Sequence, residues 1–117
     1  MPIRLEDHLF ELEEQFWTEG AGYFDRNLVH TALMVLPEPA GILLQDEIAS
    51  SLGKARWKQV ELEEHRLLEL GERTALVTYT ATAARADGSA PYRARASSVY
   101  VRDAAAWKLA FHQQTPL

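Results

Sequence analysis

Near the start of the chain, apolar residues recur at the helical period. Leu5, Leu9, Leu12 and Phe16 follow the spacing i, i+4, i+7, i+11, and Phe10 and Trp17 sit seven apart on an adjoining stripe. The spacing predicts one amphipathic helix from about Leu5 to Thr18, broken by Gly20 and Gly22. A short helix through Tyr23, Phe24, Asp25, Arg26, Asn27 and Leu28 follows. From His30 to Leu36 the chain is apolar and β-prone, and Pro37-Glu38-Pro39 stops it, which makes a first strand. Gly41 to Leu44 is a short second strand. Asp46 supports the N-terminus of a further helix, on which Leu44, Ile48 and Leu52 share a face and Gly53 is the stop.

Beyond Gly53 the pattern changes from helical period to strand period. Trp57 to Leu70 reads as a long strand or a bulged pair, with Gly71-Glu72 as a turn. Thr74 to Arg85 is a strand, Ala86-Asp87-Gly88-Ser89 a hairpin turn, and Tyr92 to Arg102 its partner. Asp103 and the alanines after it turn again, and Trp107 to Gln114 closes the run. Helices first and then four antiparallel strands make the fold class α+β. A sheet of this length curls around a helix packed on one face, and the space between them becomes a pocket.

Alternation sorts the faces. On the strand from Thr74, the set Ala75, Val77, Tyr79, Ala81 and Ala83 suits a helix or a pocket, and Thr78, Thr80 and Thr82 suit water or a partner subunit. On the next strand, Tyr92, Ala94, Ala96, Ser98 and Tyr100 combine small residues with terminal tyrosines. On the last, Trp107, Leu109, Phe111 and Gln113 oppose Lys108, Ala110, His112 and Gln114, and period alone leaves open which set faces inward. The long strand places Glu64 and Arg66 among Val60, Leu62, Leu68 and Leu70. Either Glu64 is a pocket acid or base paired with Arg66, or a β-bulge near Glu63-Glu64 shifts the phase and sends both to solvent.

Composition narrows the function classes. The 117 residues fit one domain spanning positions 1–117, large enough to bury a core without staples. The absence of cysteine excludes disulfides, thiolate metal ligands and a cysteine nucleophile, and suits a reducing, cytoplasmic setting. A net charge of -5 argues against nucleic acid as a partner. No apolar run approaches the roughly 20 residues of a membrane span, and the start of the chain turns acidic without a signal peptide's apolar region. Glu6, Asp7, Glu11, Glu13, Glu14 and Glu19 read as a solvated helix face, with an acidic partner surface as the second reading.

The tail from Trp107 to Gln114 crowds aromatic, imidazole and amide side chains together. His112 is the candidate for proton transfer, since histidine titrates near neutral pH. The alternative is a structural histidine bonded to backbone. Tyr79 and Tyr100 are candidate donors to a ligand carbonyl, or simply packed with satisfied hydroxyls. Trp17 and Trp107 are candidates to stack on a flat ligand, or core residues. No two histidines show metal-site spacing, and the glycine patterns of phosphate loops and dinucleotide folds are missing, so neither a metal nor a cofactor is expected.

Taken in order, Phe16-Trp17, Tyr23 before an aspartate, Leu33-Met34-Val35-Leu36-Pro37, Trp57, Val77-Thr78-Tyr79, Ser97-Ser98-Val99-Tyr100-Val101-Arg102 and Trp107-Lys108-Leu109 leading to His112-Gln113-Gln114-Thr115-Pro116 cover nearly the whole chain. In that order the chain resembles the NTF2-like superfamily, and within it the small SnoaL-like (DUF4440-type) bacterial proteins. The resemblance implies a curved, mostly antiparallel sheet wrapped as a cone around N-terminal helices, and a homodimer formed through the sheet. The superfamily hosts enzymes and non-enzymes alike. Its catalytic aspartate patterns are not matched, because Asp7, Asp25, Asp46, Asp87 and Asp103 all lie outside strand bodies in the reading above. The reading that follows is a cone binding a small hydrophobic or aromatic molecule, with Trp17, Tyr23, Tyr79, Ser98, Tyr100 and Gln114 as ligand contacts. The alternatives are an isomerase, cyclase or dehydratase with His112 or Glu64 as base, and an interaction module with a vestigial pocket.

Overall fold

The computed structural model describes residues 4–19, 21–52 and 57–117. The expected stops at Gly20 and Gly53 lie outside them. Helix α1 (Leu5–Thr18) has the bounds its apolar stripe predicts. Then come α2 (Ala21–Asn27), β1 (Leu28–Leu36), β2 (Gly41–Leu44), α3 (Gln45–Leu52), β3 (Gln59–Gly71), β4 (Thr74–Ala84), β5 (Tyr92–Asp103) and β6 (Ala106–Pro116). Leu28, expected at the end of the short helix, instead opens β1 and is buried. Gly22 lies inside α2 rather than between helices. Leu44 belongs to β2 and is exposed, so it does not share a buried face with Ile48. The Leu44 N–H donates to the Glu47 carboxylate at 2.9 Å, which caps the entry to α3.

The expected four-stranded run is part of one six-stranded sheet of order β2-β1-β6-β5-β4-β3. β1 joins it parallel to β6, and all other pairings are antiparallel. Helix α1 packs on β3 and β4, while α2 and α3 close the β1–β6 side. The helices cover the inner face because that face is apolar and low-relief. Ala75, Val77, Ala81, Ala83, Ala94 and Ala96 are all buried there and leave room for Leu9, Phe10, Phe16 and Trp17 of α1. Among the described residues no helix is long and apolar enough to cross a membrane.

Two bulges set which side chains enter the cone. In β3 the pairing shifts between Glu63 and Arg66, and Glu64 sits at φ 58°. Val60 and Leu62 are half-buried before the bulge and Leu67 after it, so the inward set changes parity. In β6, Tyr100 pairs Leu109 while Val99 pairs Phe111, leaving Ala110 as the extra residue. Leu109 and His112 are therefore both buried on the inner side, with Trp107 and Gln114 half-buried. Strict alternation would have put Leu109 and His112 on opposite faces.

Candidate functional site

Glu13 lies at the centre of the cone and is 1% exposed. It sits four residues after Leu9 and four before Trp17, on the apolar stripe of α1, so helical geometry carries its carboxylate to the sheet. Three hydroxyls converge on it. Tyr79 Oη donates to Oε1 at 2.6 Å, Ser98 Oγ donates to Oε1 at 2.6 Å, and Tyr100 Oη donates to Oε2. The Trp17 indole N–H in turn donates to Tyr79 Oη at 3.0 Å. Burial pushes the Tyr79 and Tyr100 hydroxyls well above the usual tyrosine range, and the Glu13 charge raises them further. Both phenols therefore stay protonated and act as fixed donors.

The network continues to His112. Ser98 has one hydroxyl proton and gives it to Glu13, so at the 2.7 Å contact with His112 Nδ1 its oxygen accepts and Nδ1 carries the hydrogen. Nε2 is then the acceptor, facing the Gln114 amide nitrogen at 3.1 Å, and Gln114 Oε1 accepts from Tyr92 Oη at 3.0 Å. The bonds from Tyr92 through Gln114, His112 and Ser98 to Glu13 all point the same way. His112 Nδ1 is 3.7 Å from Glu13 Oε1. A hydrogen bond to a charged group contributes about 1.5–3 kcal/mol, so three of them offset the several kcal/mol that removing a carboxylate from water costs.

Beside this network lies a cavity of about 10 Å³, lined by Phe16, Trp17, Phe24, Met34, Leu36, His112 and Gln114. That volume holds about one water, whereas sites for drug-sized molecules run to roughly 300 Å³ or more. Phe16, Trp17 and Phe24 form the aromatic wall of this cavity.

The structure gathers Trp17, Tyr79, Ser98, Tyr100, His112 and Gln114 into this one cluster. Tyr23 stands apart, because its hydroxyl donates to the Leu12 carbonyl at 3.2 Å and its ring packs edge-on against Phe16. Burial raises the Tyr23 hydroxyl too. Glu64 is not in the cone. The β3 bulge turns it to the outer face, where it is exposed and accepts from Thr80 Oγ1 at 2.6 Å. There it borders an open depression of about 350 Å³ with Arg66, Thr78, Thr80, Arg95 and Ser97. Glu13 was hidden among acidic neighbours, and its position on the Leu9–Trp17 stripe was the signal that distinguished it. Among the described residues no group of three or more His, Asp or Glu side chains is arranged to hold a metal.

The outer face carries a second feature. Leu44 pairs Leu33, Leu33 pairs Phe111, Phe111 pairs Val99, Val99 pairs Leu76, and Leu76 pairs Leu68. This apolar row crosses all six strands, a span of about 24 Å at about 4.8 Å per strand step. Leu33, Leu44 and Leu68 are exposed, as are Val35 and Ile42 in the flanking row.

No protein-family model and no curated protein sequence matches the chain. Solved structures do. A ketosteroid isomerase-like protein from Parabacteroides distasonis superposes with a TM-score of 0.81 at 10% identity, over 97% of this chain and 89% of that one. An NTF2-like protein of unknown function from Prochlorococcus gives 0.77 at 15% identity, over 97% and 94%. The chain has the NTF2-like fold. The association domain of C. elegans CaMKII shares this NTF2-like architecture, with a TM-score of 0.76 at 13% identity over 93% of this chain and 90% of that one. At these identities the likeness concerns the fold, and the Glu13 cluster within the NTF2-like cone is described from this chain's own residues.

Proposed function

We propose that residues 1–117 form a self-associating NTF2-like domain whose outer sheet face receives a second copy of the chain. The observation that carries this reading is the apolar row from Leu44 to Leu68, which crosses all six strands with Leu33, Leu44 and Leu68 exposed and Leu76, Val99 and Phe111 half-buried between them. Exposed apolar surface of this kind marks interaction sites, and a sheet face can meet the same face of a second copy when a two-fold axis runs parallel to the sheet, midway between the two. The cone fits the same role, since the polar groups gathered around Glu13 bond to one another. Sheet-to-sheet packing would bury Leu33, Val35, Ile42, Leu44 and Leu68 together. The test is mass in solution. Sedimentation equilibrium should give twice the chain mass of 13.2 kDa, and Leu33→Asp should return it to one copy. A wild-type protein that sediments as one copy at micromolar concentration refutes the reading.

A second reading is favoured by the cavity beside His112 and Gln114. A small hydrophobic or aromatic molecule would enter there by displacing Phe16 or Phe24, and His112 would face it as the candidate base of an isomerase, cyclase or dehydratase. Glu64, on the opposite face of the sheet, takes no part. The order of motifs from Phe16-Trp17 to the His112-Gln113-Gln114 tail supports a SnoaL-like placement within the fold. Screening flat apolar compounds for a rise in Tm that Phe16→Leu alters tests this reading, and a screen without any such compound counts against it.

A further inference from the structure

The direction of the hydrogen bonds around His112 has a consequence independent of self-association. With Nδ1–H donated to Ser98, the Nε2 lone pair is the group that can take up a proton, and it lies on the wall of the cavity, which has room for about one water. A proton on Nε2 would confront the Gln114 amide hydrogens across 3.1 Å, donor against donor. Rotating the amide end for end, which changes its shape little, replaces nitrogen by Oε1 and restores the bond. The rotated amide then donates to Tyr92 Oη, and the Tyr92 hydroxyl proton, previously held by Oε1, is released to donate outward.

We propose that protonation of His112 turns over the Gln114 amide and reverses the hydrogen bonds between His112 and Tyr92, making the interior of the cone a proton-responsive switch read out at its rim. One proton enters from solvent and adds to the Nε2 lone pair; the hydrogen bonds at Gln114 are exchanged, and no covalent N–H or O–H bond of the chain is broken. Several elements present groups to His112. From α1, Glu13 stands 3.7 Å from Nδ1, and from β5, Ser98 bridges the two. Tyr79 of β4 and Tyr100 of β5 direct their hydroxyls at Glu13. From β1, His112 is met by Met34, its register partner, and from α1 by the edge of Trp17 at 6.4 Å. At the rim, Tyr92 stacks on Trp57 with ring centres 5.3 Å apart, and the Arg85 guanidinium lies over Trp57 at 5.1 Å. The switch thus runs from a buried imidazole to a half-buried phenol in an aromatic stack.

The test uses the wild-type chain, with nitrogen-15 NMR of His112 and of the Gln114 side-chain amide between about pH 8 and about pH 5, the range in which histidine charges. The expected result is a neutral Nδ1–H tautomer at high pH, an imidazolium at low pH, and Gln114 and Tyr92 resonances that move with the same midpoint. Gln114→Glu places a fixed acceptor opposite Nε2 and should raise that midpoint, with proton affinity at His112 increasing at least tenfold. Gln114 amide signals that stay constant while His112 titrates overturn the proposal. So does a ring that stays neutral in the folded protein throughout the range.

Discussion

Replacing Glu13 by alanine removes the acceptor on which the centre of the cone depends. Tyr79 Oη, Ser98 Oγ and Tyr100 Oη all donate to it, and none of the three side chains is more than 3% exposed. Ser98 can turn its proton toward His112, 2.7 Å away, once the imidazole moves its own hydrogen from Nδ1 to Nε2, whereas among the described residues the two tyrosine hydroxyls donate to Glu13 alone. Each buried donor left unsatisfied costs about 1–3 kcal/mol, so the pair costs about 2–6 kcal/mol before any cavity term. Against a typical domain stability of about 5–15 kcal/mol this is a large share. Glu13→Gln keeps an acceptor oxygen and the shape of the side chain, and should lose less than half as much. Urea denaturation followed by circular dichroism measures both. If Glu13→Ala unfolds within about 1 kcal/mol of wild type, below the penalty of one orphaned donor, the hydroxyls do not depend on the carboxylate and the account of the cone is wrong.

Two further outcomes follow from the same geometry. Because Tyr79 and Tyr100 hold their protons more tightly folded than unfolded, the unfolded chain loses them first on going alkaline. Stability should be full below about pH 10 and then fall, by up to about 1.4 kcal/mol per pH unit for each tyrosine, and urea midpoints taken on either side of that pH should show the decline. Deleting Ala110 should be tolerated, because it removes the extra residue of the β6 bulge and leaves Leu109 and His112 facing inward, whereas deleting Val99 reverses every side chain on one side of the cut. Cooperative thermal unfolding retained by the Ala110 deletion and lost by the Val99 deletion is the expected result, and equal damage from both would contradict the register.

The architecture was legible because its signals are periodic. The α1 stripe, the hairpin turn at Ala86-Asp87-Gly88-Ser89 and the alanine-rich inner faces of β4 and β5 each follow from local spacing, and the structure places them as read. The parallel joining of β1 to β6 was not legible, since it brings together segments far apart in sequence with no local mark. The site was half legible. Tyr79, Ser98, Tyr100, His112 and Gln114 stood out as polar groups on apolar strands, but the parity of β6 depended on a bulge at Ala110, a residue with nothing to advertise it. Glu64 was ambiguous for the same reason, and its bulge sent it outward. Glu13 was obscured by charge, since an acidic run conceals the one carboxylate that falls on the buried stripe.

The strand that comes last in the sequence lies inside the sheet, between β1 and β5, not at an edge. The hydrogen bonds that join the β1–β2 hairpin to the rest of the sheet run through it. During synthesis, β1 and β2 therefore wait unpaired to the rest of the sheet until β6 has emerged, with Met34 and Leu43, buried in the finished fold, short of that cover meanwhile. β6 also delivers His112 and Gln114, so the polar network and the sheet are completed in one late event. Without β6 the sheet falls into two groups of strands, β2-β1 and β5-β4-β3, and β6 is what makes them one.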